Sequence, residues 1–326
     1  MVMKVLNKGA HSTVFIDENE PGIVIKKANH PENNTYLKSQ QHGYDIIDSI
    51  KAHNQNFGVA LPELVEINNK DQTIREKIMS GDTFDSENET YFSLSEQRRN
   101  NIAKQMATFL NAMHSSSKCQ PAQESIINMQ TSGPRNAEEI IAKFDGCLPK
   151  NIVNKLKQAE EYLQTSDKSD EVIVMTHKDL RTSNLMYDAN TNKLAVLDFE
   201  SAGPDNVYRD FIAGAPVSSM PWDFTKRVID YYNQIPNKKY PINIKPEKVQ
   251  NMLLYGVLHE YARCKIPEKK TTEQDIIRIC NKLELVTGMN FDAKQLYEKA
   301  IKKVQALGVK EQPRIGIQNN TEKEYR

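Results

Sequence analysis

The segment His177-Lys178-Asp179-Leu180-Arg181-Thr182-Ser183-Asn184, followed after a short hairpin by Leu197-Asp198-Phe199-Glu200, constrains this chain more than any other feature. It places an Asp and an Asn five residues apart on one loop, then returns a second Asp at the end of an apolar strand. Phosphoryl transfer asks for that set of groups: a carboxylate beside the acceptor hydroxyl, and hard oxygen ligands for Mg²⁺ beside the terminal phosphates. Asp179 is therefore expected to orient the hydroxyl and accept its proton, with Asn184 and Asp198 holding metal. The bland alternative is a surface loop with solvated Asp and Asn. Nothing in folding alone requires all three of these side chains.

What precedes this segment reads as strands with one helix. Val2–Leu6, Thr13–Ile16 and Ile23–Ile25 are short runs rich in β-branched and aromatic residues, with a turn over Asp17–Gly22. Residues 34–54 carry Tyr36, Gln40, Gly43, Ile47 and Ile50 near the helical period. Leu64–Ile67 and Thr73–Ile78 read as two further strands, and Gly81 marks the junction with a helical remainder.

Beyond it, Ser93–His114 repeats Ile102, Met106, Phe109, Leu110 and Met113 on one face, and 136–166 supplies more helix. Val172–Met175 is a strand leading into the Asp179 loop. Residues from about 223 to 307 are expected to be helical, and the polar stretch 308–326 to form a loosely ordered tail. The expected fold is α+β: a small β-rich lobe over 1–80 that binds nucleotide, then a large helical lobe over 81–307 with the catalytic loop and substrate site. A ligand cleft is expected between them.

Charge narrows the partners. Lys plus Arg equals Asp plus Glu at 43 each, so no long-range field draws the chain onto nucleic acid or an acidic membrane. The four cysteines show no C-x-x-C spacing, which predicts reduced thiols in a cytoplasmic compartment rather than zinc or a disulfide framework. No apolar run approaches the ~18 residues of a membrane span, and the N-terminal apolar run is too short for a signal peptide.

The catalytic segment resembles that of protein kinases and of the aminoglycoside phosphotransferase and choline kinase-like families, and the resemblance covers roughly residues 4–215. The stretch after Asp198 separates these relatives. Here a second acid, Asp210, follows twelve positions later, similar to the aminoglycoside phosphotransferase pattern in which a brief loop leads to an Asp opening the next helix. Glu200 replaces the glycine of D-F-G, and no A-P-E is present.

The resemblance implies a two-lobed, protein kinase-like fold that uses ATP and Mg²⁺. It implies that Leu6–Phe15 is the strand-turn-strand over the nucleotide phosphates, with Gly9 allowing close approach and Ser12 contacting phosphate. Lys26, rather than its neighbour Lys27, matches the strand lysine on the α- and β-phosphates. Glu76 and Ile78 fall in the hinge strand whose backbone meets the adenine edge. Relatives pair the lysine with a helix glutamate; here Gln40, Gln41 and Asp45 are the candidates, and the sequence leaves the choice open. Lys178 stands where aminoglycoside phosphotransferases commonly have glycine, and Arg181 can neutralise charge on the transferring phosphoryl group.

The expected activity is transfer of the γ-phosphate to a hydroxyl of a small molecule: an aminoglycoside, a choline-like compound, an amino alcohol or a sugar. Glu200, Trp222, Asp223, Glu260 and Tyr261 are candidate pocket residues, since acids and aromatics suit an amine-bearing substrate. His114 and His177 are expected to brace rather than move protons. The alternatives are a protein kinase, suggested by Arg181 and the kinase-like loop, and a non-catalytic nucleotide-binding scaffold.

Overall fold

The β-branched and aromatic runs near the N-terminus become β1 (Met3–Lys8), β2 (Ser12–Asp17) and β3 (Ile23–Ala28), joined after helix α1 (Thr35–His53) by β4 (Leu64–Asn68) and β5 (Thr73–Lys77). These strands form one antiparallel sheet in the order β1-β2-β3-β5-β4. The structure is a computed structural model that describes residues 3–8, 11–30, 35–53, 57–84, 89–122, 134–144, 146–212, 220–236, 238–264 and 272–291. Gly9 and the 308–326 stretch lie outside the described residues, as do 292–307 of the expected helical remainder.

The second half is mainly helical and carries two small sheets. Strand β6 (Asp82–Thr83) and helices α2 (Glu89–Ser93) and α3 (Glu96–Ser115) come first, then β7 (Gln120–Pro121), α4 (Ala137–Ala142) and α5 (Lys150–Thr165). Strands β8 (Val172–Thr176), β9 (Leu185–Asp188), β10 (Lys193–Val196) and β11 (Gly203–Asn206) surround the catalytic segment. Helices α6 (Arg209–Ile212), α7 (Trp222–Gln234), α8 (Pro246–Cys264) and α9 (Glu273–Thr287) follow. The two small sheets run β10-β9-β6 and β11-β8-β7. Among the described residues no helix is long and apolar enough to cross a membrane.

The amphipathic face read from α3 is the buried face: Ile102, Met106, Phe109, Leu110 and Met113 are all 3% exposed or less. The helix expected from Ser93 begins at Glu96, and the separate short helix α2 ends at Ser93. Ser95 accepts a hydrogen bond from the Arg98 N–H and caps α3, so the orphan donors of the first turn are met by a serine rather than by a preceding turn. The helix expected within 136–166 comes as two pieces, α4 and α5, with Pro149 standing just before the second.

Among the described residues, backbone hydrogen bonds join the β-rich half to the second at Ala60, and a second seam just past the Gly81 junction seats the first strand of the second half. The Ala60 N–H donates to Leu194 O at 2.8 Å and Ala60 O accepts from the Val196 N–H at 3.0 Å, while Phe84 N–H donates to Leu185 O at 3.2 Å. Gly81 sits at that second seam with φ +110°, and a Cβ there would lie 2.6 Å from the Tyr187 carbonyl carbon and oxygen. Both the positive φ and the contact exclude a side chain. Gly81→Ala is expected to cost about 2–3 kcal/mol, read as a lowered urea midpoint.

Candidate active site

Every backbone contact around residue 179 fixes the loop before its side chains do anything. Asp210, whose side chain is fully buried at the start of α6, accepts from the His177 N–H at 3.0 and 3.2 Å and from the Lys178 N–H at 3.0 Å. Its other neighbour is His114 Nε2 at 3.2 Å, and the far nitrogen of that ring meets the Tyr232 hydroxyl at 2.9 Å. Lys178 then turns the chain at φ +67°. This is the left-handed region that glycine enters without strain, and here a lysine bears it.

His177 is fully buried and sits 4.6 Å from the Phe199 ring. Its Nε2 meets Leu197 O at 2.9 Å, and its Nδ1 faces the Asp179 N–H at 3.3 Å. A neutral ring protonated on Nε2 satisfies both contacts, and burial, which lowers its pKa, favours that neutral form. It ties the two halves of the catalytic segment together.

Asn184 Nδ2 donates to Asp179 O and to Asp179 Oδ2, each at 2.9 Å. Because the amide nitrogen faces the aspartate, the amide oxygen is turned away from it and accepts nothing else among the described residues. Arg181 Nη2 approaches the same Oδ2 at 3.1 Å. Burial pushes the Asp179 carboxyl above the ordinary carboxylate range, with Asp198 adding to the rise, while Arg181 and Asn184 oppose it. Asp198 has φ +64° and acts electrostatically on both Asp179 and Lys26, which places its carboxylate between the loop and the sheet.

On the sheet side, Lys26 faces inward and Lys27 is exposed. Lys26 Nζ lies 2.8 Å from Glu76 Oε1, and the Tyr44 hydroxyl donates to the same oxygen. Burial of Lys26 favours the neutral amine, but the Glu76 carboxylate outweighs it and holds the pKa above its ordinary value. Lys26, Gln40, Tyr44, Glu76, Asp198 and Glu200 line one cavity of about 220 Å³. Helix α1 reaches that cavity closely because Gly43 has no side chain: a Cβ there would meet the Phe199 backbone at 2.9 Å. Ser12 opens β2 beside the buried Tyr36 hydroxyl, which has no partner in hydrogen-bonding geometry among the described residues.

Some expectations are corrected. Glu76 and Ile78 were expected to offer backbone to an adenine edge. Strand β5 is instead flanked by β3 and β4, and the Ile78 N–H already donates to Gly22 O at 2.7 Å. That N–H is unavailable to a ligand, and Glu76 enters the site through its side chain. None of the helix candidates reaches Lys26: Gln40 Nε2 donates to Glu200 Oε2 at 2.6 Å, and Gln41 Nε2 donates to Asp45 Oδ1 at 2.9 Å on the exposed side.

The proposed pocket residues scatter. Asp223 is taken up by Arg227 at 2.9 Å and the Tyr91 hydroxyl at 2.6 Å, and Glu260 pairs with Arg263. Glu200 alone of that set joins the cleft. There burial raises its pKa, Asp198 adds to the rise, and Gln40 opposes it.

The sequence model of the phosphotransferase enzyme family matches residues 3–236, well over half of the chain. This chain belongs to that family. No curated protein matches it significantly. Its fold is shared with solved structures of low sequence identity. The streptomycin–ATP ternary complex of APH(2")-IIa is 16% identical, covers 88% of this chain and 92% of its own, and gives a TM-score of 0.51. The ADP-bound aminoglycoside phosphotransferase APH(2'')-Ib is 17% identical, with 88% and 93% covered and a TM-score of 0.50. The GDP and kanamycin complex of APH(2")-IIia is 13% identical, with 91% and 93% covered and a TM-score of 0.51. The protein is thus a phosphotransferase with a kinase-like, two-lobed α+β fold.

Sequence reasoning singled out neither the Glu76 side chain nor Tyr44, both of which line the cavity with Lys26. A signal existed for the first: at the alternate positions Ile74, Glu76 and Ile78 of a strand that also carries Arg75 and Lys77, an acid takes a place between two apolar residues. Its motif position points instead to hinge backbone, which hides that contact.

Proposed function

We propose that this enzyme transfers the γ-phosphate of ATP to a hydroxyl of a small molecule, with Asp179 as the catalytic base and the lobes divided near residue 80. The observation that supports this reading is the Asp179 carboxylate, held by Asn184 and Arg181 and near enough to Asp198 to feel its charge, while Asp198 and Lys26 line one cavity. Asp179 accepts a hydrogen bond from the acceptor hydroxyl and takes its proton as that oxygen attacks the γ-phosphorus. The bond from phosphorus to the β–γ bridging oxygen breaks, and ADP leaves. Arg181, beside the base, keeps Asp179 ionised and offers positive charge to the transferring group. Lys26 binds the α- and β-phosphates, and Ser12, at the start of β2, contacts them; Gly9, a further candidate from the sequence, lies outside the described residues.

The donor set fits Mg²⁺. Asn184 has an uncommitted amide oxygen, and Asp198 contributes a carboxylate. Among the described residues no cluster of three His, Cys, Asp or Glu forms an all-protein cage, which suits an ion that takes its remaining ligands from phosphate and water. When bound there, Mg²⁺ neutralises charge that develops on the phosphate oxygens.

A small-molecule acceptor is favoured over a protein by the short path from Asp198 to Asp210. Residues Gly203–Asn206 pair at once with β8, and Asp210 returns to the catalytic loop. That path leaves no length for an extended segment on which a polypeptide could lie. The neighbouring structures hold aminoglycosides, and the acid Glu200 at the cleft is compatible with an amine-bearing acceptor.

The test is acceptor-dependent ADP release across aminoglycosides, choline-like compounds, amino alcohols and sugars, with Mg²⁺-ATP as donor. At least one should raise ADP release over background, and Asp198→Ala should weaken Mg²⁺-ATP binding by about tenfold or more. Label from γ-labelled ATP appearing on added proteins, with none on metabolites, would replace the small-molecule reading with protein phosphorylation.

A further inference from the structure

In kinase-like folds the phosphate-binding lysine must be held in place by a carboxylate, and a helix ordinarily provides it. The geometry here points to a different arrangement: we infer that Glu76, on strand β5, is the positioning residue for Lys26, so that the sheet itself rather than helix α1 sets the lysine. This rests on the assignment of Lys26 to the nucleotide phosphates made above.

The register explains how a strand can do this. Strands β3 and β5 are paired directly, with Val24 opposite Glu76 and Lys26 opposite Ile74. Lys26 and Glu76 are therefore diagonal neighbours on one face of the ladder, within reach of long side chains. The contact is made at 2.8 Å, with Glu76 only 5% exposed. Tyr44 donates its hydroxyl to the same Glu76 oxygen, which steadies the carboxylate from the helix side.

Helix α1 offers Lys26 no carboxylate: its Tyr44 meets Glu76, and its other polar groups turn elsewhere. Gln40, on its buried face, is committed to Glu200, two residues after Asp198. The helix thus supports the loop that carries Asp198, and the sheet supports Lys26. Displacing α1 would disturb the first and remove the Tyr44 contact to Glu76, but backbone hydrogen bonds between β3 and β5 would still fix the spacing of Lys26 and Glu76. An uncharged Gln at the helix position is also what the electrostatics require. A glutamate at position 40 would face Glu200 at hydrogen-bonding distance, and like charges so placed repel.

The test is the dissociation constant for ATP in Mg²⁺, by calorimetry on the full chain, for Lys26→Met, Glu76→Gln and the double variant, each with a thermal melt. Lys26→Met is expected to weaken binding about tenfold or more, and Glu76→Gln about tenfold. In the Lys26→Met background, Glu76→Gln should add less than about twofold, because its effect passes through the lysine. An equal loss in both backgrounds would make Glu76 a merely structural residue and overturn the inference. So would wild-type affinity in Glu76→Gln beside a weakened Lys26→Met.

Unchanged affinity in Lys26→Met would instead remove Lys26 from the nucleotide site, and the assignment beneath the inference would fail with it. Adding Gln40→Glu to Glu76→Gln is expected to restore nothing; recovery would place the working partner on α1 and overturn the inference. Should Glu76→Gln not fold, Glu76→Asp, with the charge one methylene short, carries the same comparison in both backgrounds.

Discussion

Asp179→Asn is expected to lower acceptor-dependent turnover by about 10²–10⁴-fold while ATP still binds. The amide keeps the size of the side chain and can still accept from Asn184, but it cannot take the proton of the acceptor hydroxyl. A second consequence separates this variant from damage to the fold. Burial raises the Asp179 pKa in the folded protein, so the ionised carboxylate is less at ease there than in the unfolded chain. Its contribution to stability is greatest below the ordinary carboxylate range and is lost as pH rises through the raised value. At neutral pH the asparagine avoids that cost. The metal-free variant should therefore melt at the same temperature as the parent or higher, a trade of stability for activity at a working site. Unchanged turnover in a well-folded Asp179→Asn protein would remove Asp179 from the mechanism.

Asp210→Ala carries the largest expected effect on stability, about 3–5 kcal/mol. Asp210 accepts from the backbone of His177 and Lys178 and from the His114 ring, all in a site closed to water. Alanine leaves those donors buried with no acceptor. It also frees the turn at Lys178, whose left-handed backbone has no glycine to make it easy. Loss of activity should accompany loss of stability, because the Asp179 loop takes its position from that carboxylate. Chemical denaturation and turnover at a temperature where the variant remains folded would measure the two separately. A variant as stable as the parent would mean that water or a neighbouring group satisfies the freed donors.

Much of this was legible from local pattern. The α3 stripe named the buried face correctly because a 3.6-residue period is a property of adjacent residues, and the strands around Thr13–Ile16 and Ile23–Ile25 followed from their branched and aromatic side chains. The acid at 210 could be singled out by its distance from Asp198, and His114 and His177, expected to brace, are both buried and hydrogen-bonded around the Asp179 loop. Gly203-Pro204-Asp205-Asn206 reads as a turn by every local preference, yet it is strand β11. Pairing with β8 overrode propensity there, because the backbone ladder, not the side chains, holds that strand.

The sequence by itself determined which oxygen-bearing groups this protein has, their order, and the class of fold that can bring them to one loop. Only the tertiary structure decided which groups meet: Lys26 with Glu76 rather than with Gln40, Gln41 or Asp45, Gln40 with Glu200, and Asp210 with His114. The reason is physical. Local periodicity is fixed by neighbours along the chain, whereas the choice among several chemically similar partners depends on a few ångströms of separation. That distance is set by strand register and by how closely Gly43 lets a helix approach, and neither is written in any short stretch of residues.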